Sequence, residues 1–414
     1  MNIYGIIILL TLATEYALNL FADFLNLRTL TSELPEEMQG VYDPDAYRKS
    51  QEYTRVTTQF EIIASTFMLL VTLVFWFSGG FNLLDQMVRS RKFNLLLTGL
   101  VYIGILTLFR ALLSIPFAIY NTFVIEERFG FNKTTPAVFL IDLVKGMFLS
   151  AVLGGPLLAA LLAFFEYAGS YAWFYAWVIV ALFLLLLQFI APTWIMPIFN
   201  KFKPLEPGEL KDKIMSYARS VGFSLQNVFV IDGSRRTSKS NAFFTGFGKN
   251  KRIALYDTLI ETQTIPEVVA ILAHEIGHYK KNHILQGLIL DILQTGMMFF
   301  LLSIFIGQRG LYDAFYMMEP SVYAGMLFFG LLFTPIEFIL SMFLNILSRK
   351  NEYVADRFAV QSVERPETMV DALKKLATHN ASNLTPHPFY TFLNDSHPPL
   401  LERIRAIREV LSSQ

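Results

Sequence analysis

The chain has 414 residues, 54% of them hydrophobic and 15% aromatic, and no formal net charge. Its mean hydropathy of +0.44 is too high for an ordinary soluble globular protein, and its balanced charge offers no global field to attract nucleic acid. Cysteine is absent, which excludes disulfides, thiolate ligands and a cysteine nucleophile and leaves histidine and carboxylates as strong metal ligands.

In chain order, the first apolar run, Ile3 to Leu25, has no basic stretch ahead of it and no small-residue cleavage site, so it reads as a retained span. Further apolar stretches lie near 60–81, 94–120, 146–166, 171–197, 286–306 and 322–346. Each approaches or exceeds the ~20 residues a helix needs to cross a bilayer. The expected fold class is therefore an all-α polytopic membrane protein with about seven spans. Five spans fall in 1–197, an extramembrane segment in 198–285, two spans in 286–346 and a C-terminal extramembrane segment in 347–414.

With an odd number of spans, the 26–59 and 121–145 loops, the 198–285 segment and the C-terminal segment share one side. That side holds Arg48, Lys49, Arg128, Lys201, Arg235, Arg236 and Lys280, among others, whereas the opposite side offers chiefly Arg89, Arg91, Lys92 and Arg309. The positive-inside rule makes the richer side cytosolic. Glu15, Glu61, Arg110, Asp291 and Glu337 fall inside spans, where a charge facing lipid costs several kcal/mol. They are expected to face one another or a hydrated interior.

Within 198–285, residues 208–221 have helical periodicity, while 227–231, 240–247 and 252–256 read as strands, the last two joined by Gly248-Lys249-Asn250. Such a sheet could offer an edge to an extended peptide, or serve only as domain structure. No internal repeat is present, so a transporter loses its best support.

His274-Glu275-Ile276-Gly277-His278 follows. Two histidines four apart on a helix share a face and can reach one metal ion, and Glu275 beside them can take a proton from water held there. Thr264, Pro266 and Glu267 supply an N-cap, a first-turn proline and a capping box. For a third ligand, a continuing helix would carry His283 about half a turn away from His274, on the far face. The extended pattern H-E-x-x-H-x-x-G-x-x-H also fails, because Lys281 and Ile284 occupy its Gly and final His. Glu352 is the better candidate. Asp356, four residues on, could accept the other ring N–H of a histidine ligand. Ser396-His397-Pro398-Pro399 precedes Glu402-Arg403, and a His or Arg donor near the metal could stabilise an oxyanion, although a surface turn is the default for a lone His-Pro.

The His274–His278 run, Asn351-Glu352-Tyr353-Val354-Ala355-Asp356 and Ser396-His397-Pro398-Pro399 resemble three signatures of the integral-membrane CAAX prenyl protease family, type 1, of gluzincin zinc metalloproteases. Arg128-Phe129-Gly130-Phe131-Asn132 and Asn241-Ala242-Phe243-Phe244-Thr245-Gly246 resemble further motifs of that family. The resemblance implies a seven-helix barrel around a water-filled chamber, with a small cytosolic α+β protease domain. It implies one zinc ion per chain on His274, His278 and Glu352, with Glu275 as base. Asn241, His397 and Arg403 would contact substrate or the transition state, and the strand Asn241, Ala242, Phe243, Phe244, Thr245 would pair with substrate. Family members remove the last three residues after a prenylated cysteine, and some make a second, upstream cut.

The chain is compact and ends without a dibasic retrieval signal, so a bacterial inner-membrane homologue is expected, or an endoplasmic-reticulum protein if eukaryotic. Most bacteria lack prenylated CAAX proteins, so the natural substrate could differ. The expected function is thus an integral-membrane zinc metalloendopeptidase whose partners are a peptide or protein substrate, prenylated or not, and the bilayer, with no nucleic acid. The rivals are a quality-control protease resembling the HtpX group, whose chains are shorter with fewer spans, and a non-catalytic membrane scaffold or transporter.

Overall fold

The computed structural model describes residues 1–225, 227–245 and 252–413, with Thr245 described through its backbone. Seven helices are long and apolar enough to cross a membrane: Ile3–Thr29, Pro44–Phe77, Leu95–Phe129, Pro136–Tyr167, Gly169–Phe199, His283–Phe305 and Val322–Ser362. Each apolar run is found, yet three helices outrun the hydropathy signal. The second begins at Pro44, capped by Asp43, so its polar first turns extend beyond the apolar stretch. The fourth starts at Pro136 rather than near 146. The seventh is one unbroken helix of 41 residues, about 60 Å long, that carries both the last span and Glu352. Glu352 is therefore fixed rigidly to the membrane wall.

Neighbours in sequence pack side by side around a ring, and the seventh helix closes it against the first. Only 6–17% of each span's most apolar window is buried inside the protein. Helices so thinly covered form a wall one layer thick, with one face toward lipid and the other toward an interior. Leu70, Val74, Phe148, Leu182 and Phe343 are exposed, as lipid-facing residues should be. A cavity of about 870 Å³ lies among the spans, and Glu15, Asp23, Glu61 and Arg110 line it. Three of the five intramembrane charges thus face that cavity, while Asp291 faces a second one beside His274.

The ring is stoppered at the end remote from residues 283 and 346. Phe315 stacks on Phe328 with centroids 3.9 Å apart, and Trp76 stacks on Phe315 while its Nε1 donates to the Ala314 carbonyl at 2.7 Å. An apolar core gathers around these rings.

At the other end sits a four-stranded sheet, β1 Phe202–Pro204, β2 Asn227–Ile231, β3 Ala242–Thr245 and β4 Arg252–Tyr256, in the order β1-β2-β4-β3. β2 and β4 pair parallel and β3 joins β4 antiparallel, which leaves β3 an edge strand. The strands expected at 227–231 and 252–256 are found over those residues. The one expected over 240–247 begins two residues later, at Ala242, and is described to Thr245, since 246–251, including Gly248-Lys249-Asn250, lie outside the described residues. β1 was not anticipated, since three residues ending in proline give too short a pattern. One core joins this sheet to the Ile265–Lys280 helix and to Ala359, Leu373 and Ile404 from the C-terminal segment.

Candidate metal centre

The Ile265–Lys280 helix opens with the capping box: Thr264 N donates to Glu267 Oε2 at 2.7 Å, and Lys375 pairs with Glu267 at 2.7 Å. This helix crosses the Glu352 helix at Gly277, where an added Cβ would meet Ala355 Cα and Ala355 O, both at 3.2 Å. The close approach brings the two helices' ligands together. We expect Gly277→Val to push the helices apart and lower metal content per chain at least about tenfold, measured by elemental analysis of the purified protein, because backbone atoms cannot yield as a flexible side chain would.

Nε2 of His274 lies 3.1 Å from Nε2 of His278 and 3.3 Å from Glu352 Oε2, and His278 Nε2 lies 3.2 Å from Glu352 Oε1. These three residues form a cluster that could hold a metal ion. Three ligand atoms around a tetrahedral ion with bonds of ~2.0–2.1 Å should stand ~3.3 Å apart, and the closest contact of each pair of residues lies near that value, with each histidine nearest a different Glu352 oxygen. Glu352 Oε2 is fully buried and makes no hydrogen bond among the described residues. Its charged neighbour Arg403 Nη2 stands 3.6 Å off and His274 Nε2 3.3 Å off, so a cation placed among the three residues would find this oxygen without a hydrogen bond to give up.

Around the triangle, Asp356 Oδ1 sits 2.8 Å from His274 Nδ1. Arg403 grips Asp356 with both arms, Nε to Oδ2 at 2.8 Å and Nη2 to Oδ1 at 2.6 Å. Burial alone would lower the His274 pKa, but the Asp356 and Glu352 carboxylates beside the ring outweigh it and raise it to about 9. The surroundings therefore favour positive charge at this ring. Burial likewise raises the Glu275 carboxyl, with His274 and His278 opposing. Burial would lower the Arg403 pKa, yet its pairing with Asp356 raises it overall.

His397 reaches the centre from the loop before the Leu400–Ser412 helix, its Nε2 3.4 Å from Glu352 Oε1, and its side chain is 66% exposed. Arg403 stands behind the ligands, held by Asp356, whereas His397 is free to face what enters the cavity. That cavity, about 500 Å³, is lined by His274, Glu275, His278 and His397 together with Phe243 and Phe244 of β3. Ala242 pairs with Leu255 in β4, Asn241 is exposed, and its Oδ1 accepts from Ala242 N at 2.8 Å.

Sequence reasoning missed two contributors. Asn380 clamps the residue two before β3, its Oδ1 accepting from Ser240 N at 2.8 Å and its Nδ2 donating to Ser240 O at 3.0 Å. Residues 140 apart gave no local signal. We expect Asn380→Ala to raise KM for a peptide about tenfold with metal content unchanged, because the edge strand loses its tether while the triangle does not. The second is His283, expected on the far face of a continuing helix. The helix does not continue. Asn282 adopts φ 60, a new helix starts at His283, and His283 Nδ1 comes within 3.1 Å of His278 Nδ1. The readable signal was Asn282 itself, since asparagine tolerates the left-handed conformation that ends helices.

A helical membrane wall bearing a His-Glu-x-x-His helix and a downstream glutamate defines a membrane-embedded metallopeptidase. Residues 23–201 match the family described as CAAX prenyl protease N-terminal, five membrane helices, and residues 204–411 match peptidase family M48. The chain is 36% identical to CAAX prenyl protease 1 homolog of Arabidopsis thaliana, over 94% of each chain. It is 35% identical to CAAX prenyl protease 1 of Saccharomyces cerevisiae, over 91% of this chain and 88% of the other. The crystal structure of S. mikatae Ste24p superposes with a TM-score of 0.93 at 32% identity, covering 98% of this chain and 99% of that one. The chain belongs to the M48 family of CAAX prenyl proteases. It is an integral, multi-pass membrane metallopeptidase.

Proposed function

We propose that this protein is a zinc endopeptidase that cuts near the C-terminus of prenylated, CAAX-type substrates. The convergence of His274, His278 and Glu352 beside Glu275, at the mouth between an open strand edge and an intramembrane cavity, carries this reading. The relatives' names supply the substrate class.

His274, His278 and Glu352 would hold the ion, and their all-nitrogen-and-oxygen donor set suits zinc. When bound, zinc supplies a Lewis acid that polarises the scissile carbonyl and acidifies water. Glu275 accepts the proton of the attacking water and returns it to the leaving amine. The edge strand β3, Ala242–Thr245, with Asn241 just ahead of it, holds the substrate backbone as an added strand, so recognition does not depend on side chains. His397 donates to the developing oxyanion. Arg403 acts on the same step through Asp356, which orients His274. Glu61 and Tyr390 line both the 870 Å³ cavity and another that reaches His397, giving an apolar group on the substrate room within the wall.

The basic-rich side of the spans supports a site facing the cytosol. Fractionation of the native host separates a bacterial inner membrane from an endoplasmic-reticulum membrane. Mass spectrometry of products from a farnesylated CAAX peptide, its unprenylated counterpart and an unfolded membrane protein tests the substrate. We expect loss of the last three residues from the farnesylated peptide. Cleavage of the unfolded protein alone would favour the quality-control reading instead.

A further inference from the structure

The two histidine ligands present their second nitrogens to different partners. A ring whose Nε2 is committed to a cation keeps its proton on Nδ1, and that N–H needs an acceptor to fix the plane of the ring. His274 has one in Asp356, at 2.8 Å. For His278, the partner recorded at Nδ1 among the described residues is Nδ1 of His283, 3.1 Å away, with the two rings nearly perpendicular at 75°. His278 meanwhile turns Nε2 toward His274 and Glu352, so the contact with His283 lies on the side away from the triangle.

The backbone makes this meeting possible. Lys281 caps the first helix, Asn282 reverses the path in the left-handed region, and His283 is the first residue of the next helix. Without that break, a residue five past His278 would point well away from it. The next helix is the sixth span, so the partner of His278 is anchored in the membrane wall rather than in the sheet. Asn351 Nδ2 donates to Gln286 Oε1 at 2.9 Å, which ties that first turn to the Glu352 helix.

We propose that His283 is a positioning residue for the metal site. Its Nδ1 accepts the Nδ1 hydrogen of His278 while its own proton stays on Nε2, and so it sets the tautomer and plane of the second histidine ligand as Asp356 does for the first. The inference rests on the metallopeptidase reading of the site. The two outer partners differ in charge. Asp356 is an anion already matched by Arg403, whereas a neutral imidazole behind His278 adds no second negative charge and leaves the ion's own charge less offset.

Metal affinity is the direct test, measured by competition of the full-length protein with a chromophoric chelator for zinc, alongside KM and kcat for a peptide at saturating metal. His283→Ala removes the acceptor, and we expect about a 10–100-fold weaker affinity. His283→Asn places Oδ1 near the former Nδ1 and should restore most of it. An Ala variant that binds metal as tightly as the parent overturns the proposal. So does an Asn variant as weak as Ala, because that result assigns the role to the imidazole rather than to its acceptor. Should the Ala variant fail to fold, the comparison of Asn with Leu at the same position decides in the same way, since both fill the space and only Asn accepts. A parent protein that binds no divalent metal would instead sink the underlying metallopeptidase reading.

Discussion

Glu275→Gln will leave metal content at one ion per chain and lower peptide hydrolysis by about a thousandfold or more. The side chain lines the 500 Å³ cavity with the two histidines but is not one of the three residues that close the ligand triangle. Gln keeps the volume and loses the ability to take a proton, so binding should persist while the proton-transfer step fails. A positioned general base contributes roughly 10²–10⁴-fold, which sets the scale. Burial raises the carboxyl of Glu275, making it a stronger base than a surface glutamate. The measurement is kcat on a peptide, with elemental analysis of the same sample. Parent-like turnover would show that another group takes the proton.

The second large effect is loss of the metal. His274→Ala should reduce bound metal from one ion per chain to nearly none and abolish activity, and Glu352→Ala should do the same. Each removes one of three residues whose closest donor atoms stand 3.1–3.3 Å apart, and two remaining donors no longer surround an ion. His274→Ala also strands Asp356, whose 2.8 Å contact with the ring disappears while Arg403 remains. Stripping the parent protein with a chelator should likewise abolish activity, and added zinc should restore it. A fully metallated His274→Ala protein would remove this residue from the ligand set.

Both effects trace to motifs that could be read before any fold was known, and the reason is locality. The period of an α-helix places His274 and His278 on one face whatever surrounds them. The capping box at Thr264 and Glu267 is likewise complete within four residues. The spans are legible because lipid acts as a solvent: a backbone without water must become helix, and a run of apolar side chains marks where. Glu352 needed more, since a Glu-x-x-x-Asp helix face is usually solvated. What points to it is the metal chemistry, which requires a third donor on the same side of the membrane.

Other features were not legible, for a corresponding reason. The seventh helix runs without interruption into the Glu352 segment, but hydropathy falls off where the lipid ends even though the helix does not. That β3 is an edge strand depends on the order β1-β2-β4-β3, which strand propensity cannot encode. The hold of Arg403 on Asp356 joins residues 47 apart, and the clamp of Asn380 on Ser240 joins residues 140 apart.

His283 shows the boundary best: its type and spacing were plain, and one left-handed residue, Asn282, moved it from the far face to the back of a ligand. From the sequence alone came the membrane class, the His-Glu-x-x-His helix and Glu352 as the candidate third donor, since periodicity, hydropathy and ligand chemistry act within a few residues. The tertiary structure decided which way each outer partner points, which strand sits at the sheet's edge and where the cavities lie, because these follow from packing between segments that the chain brings together only when folded.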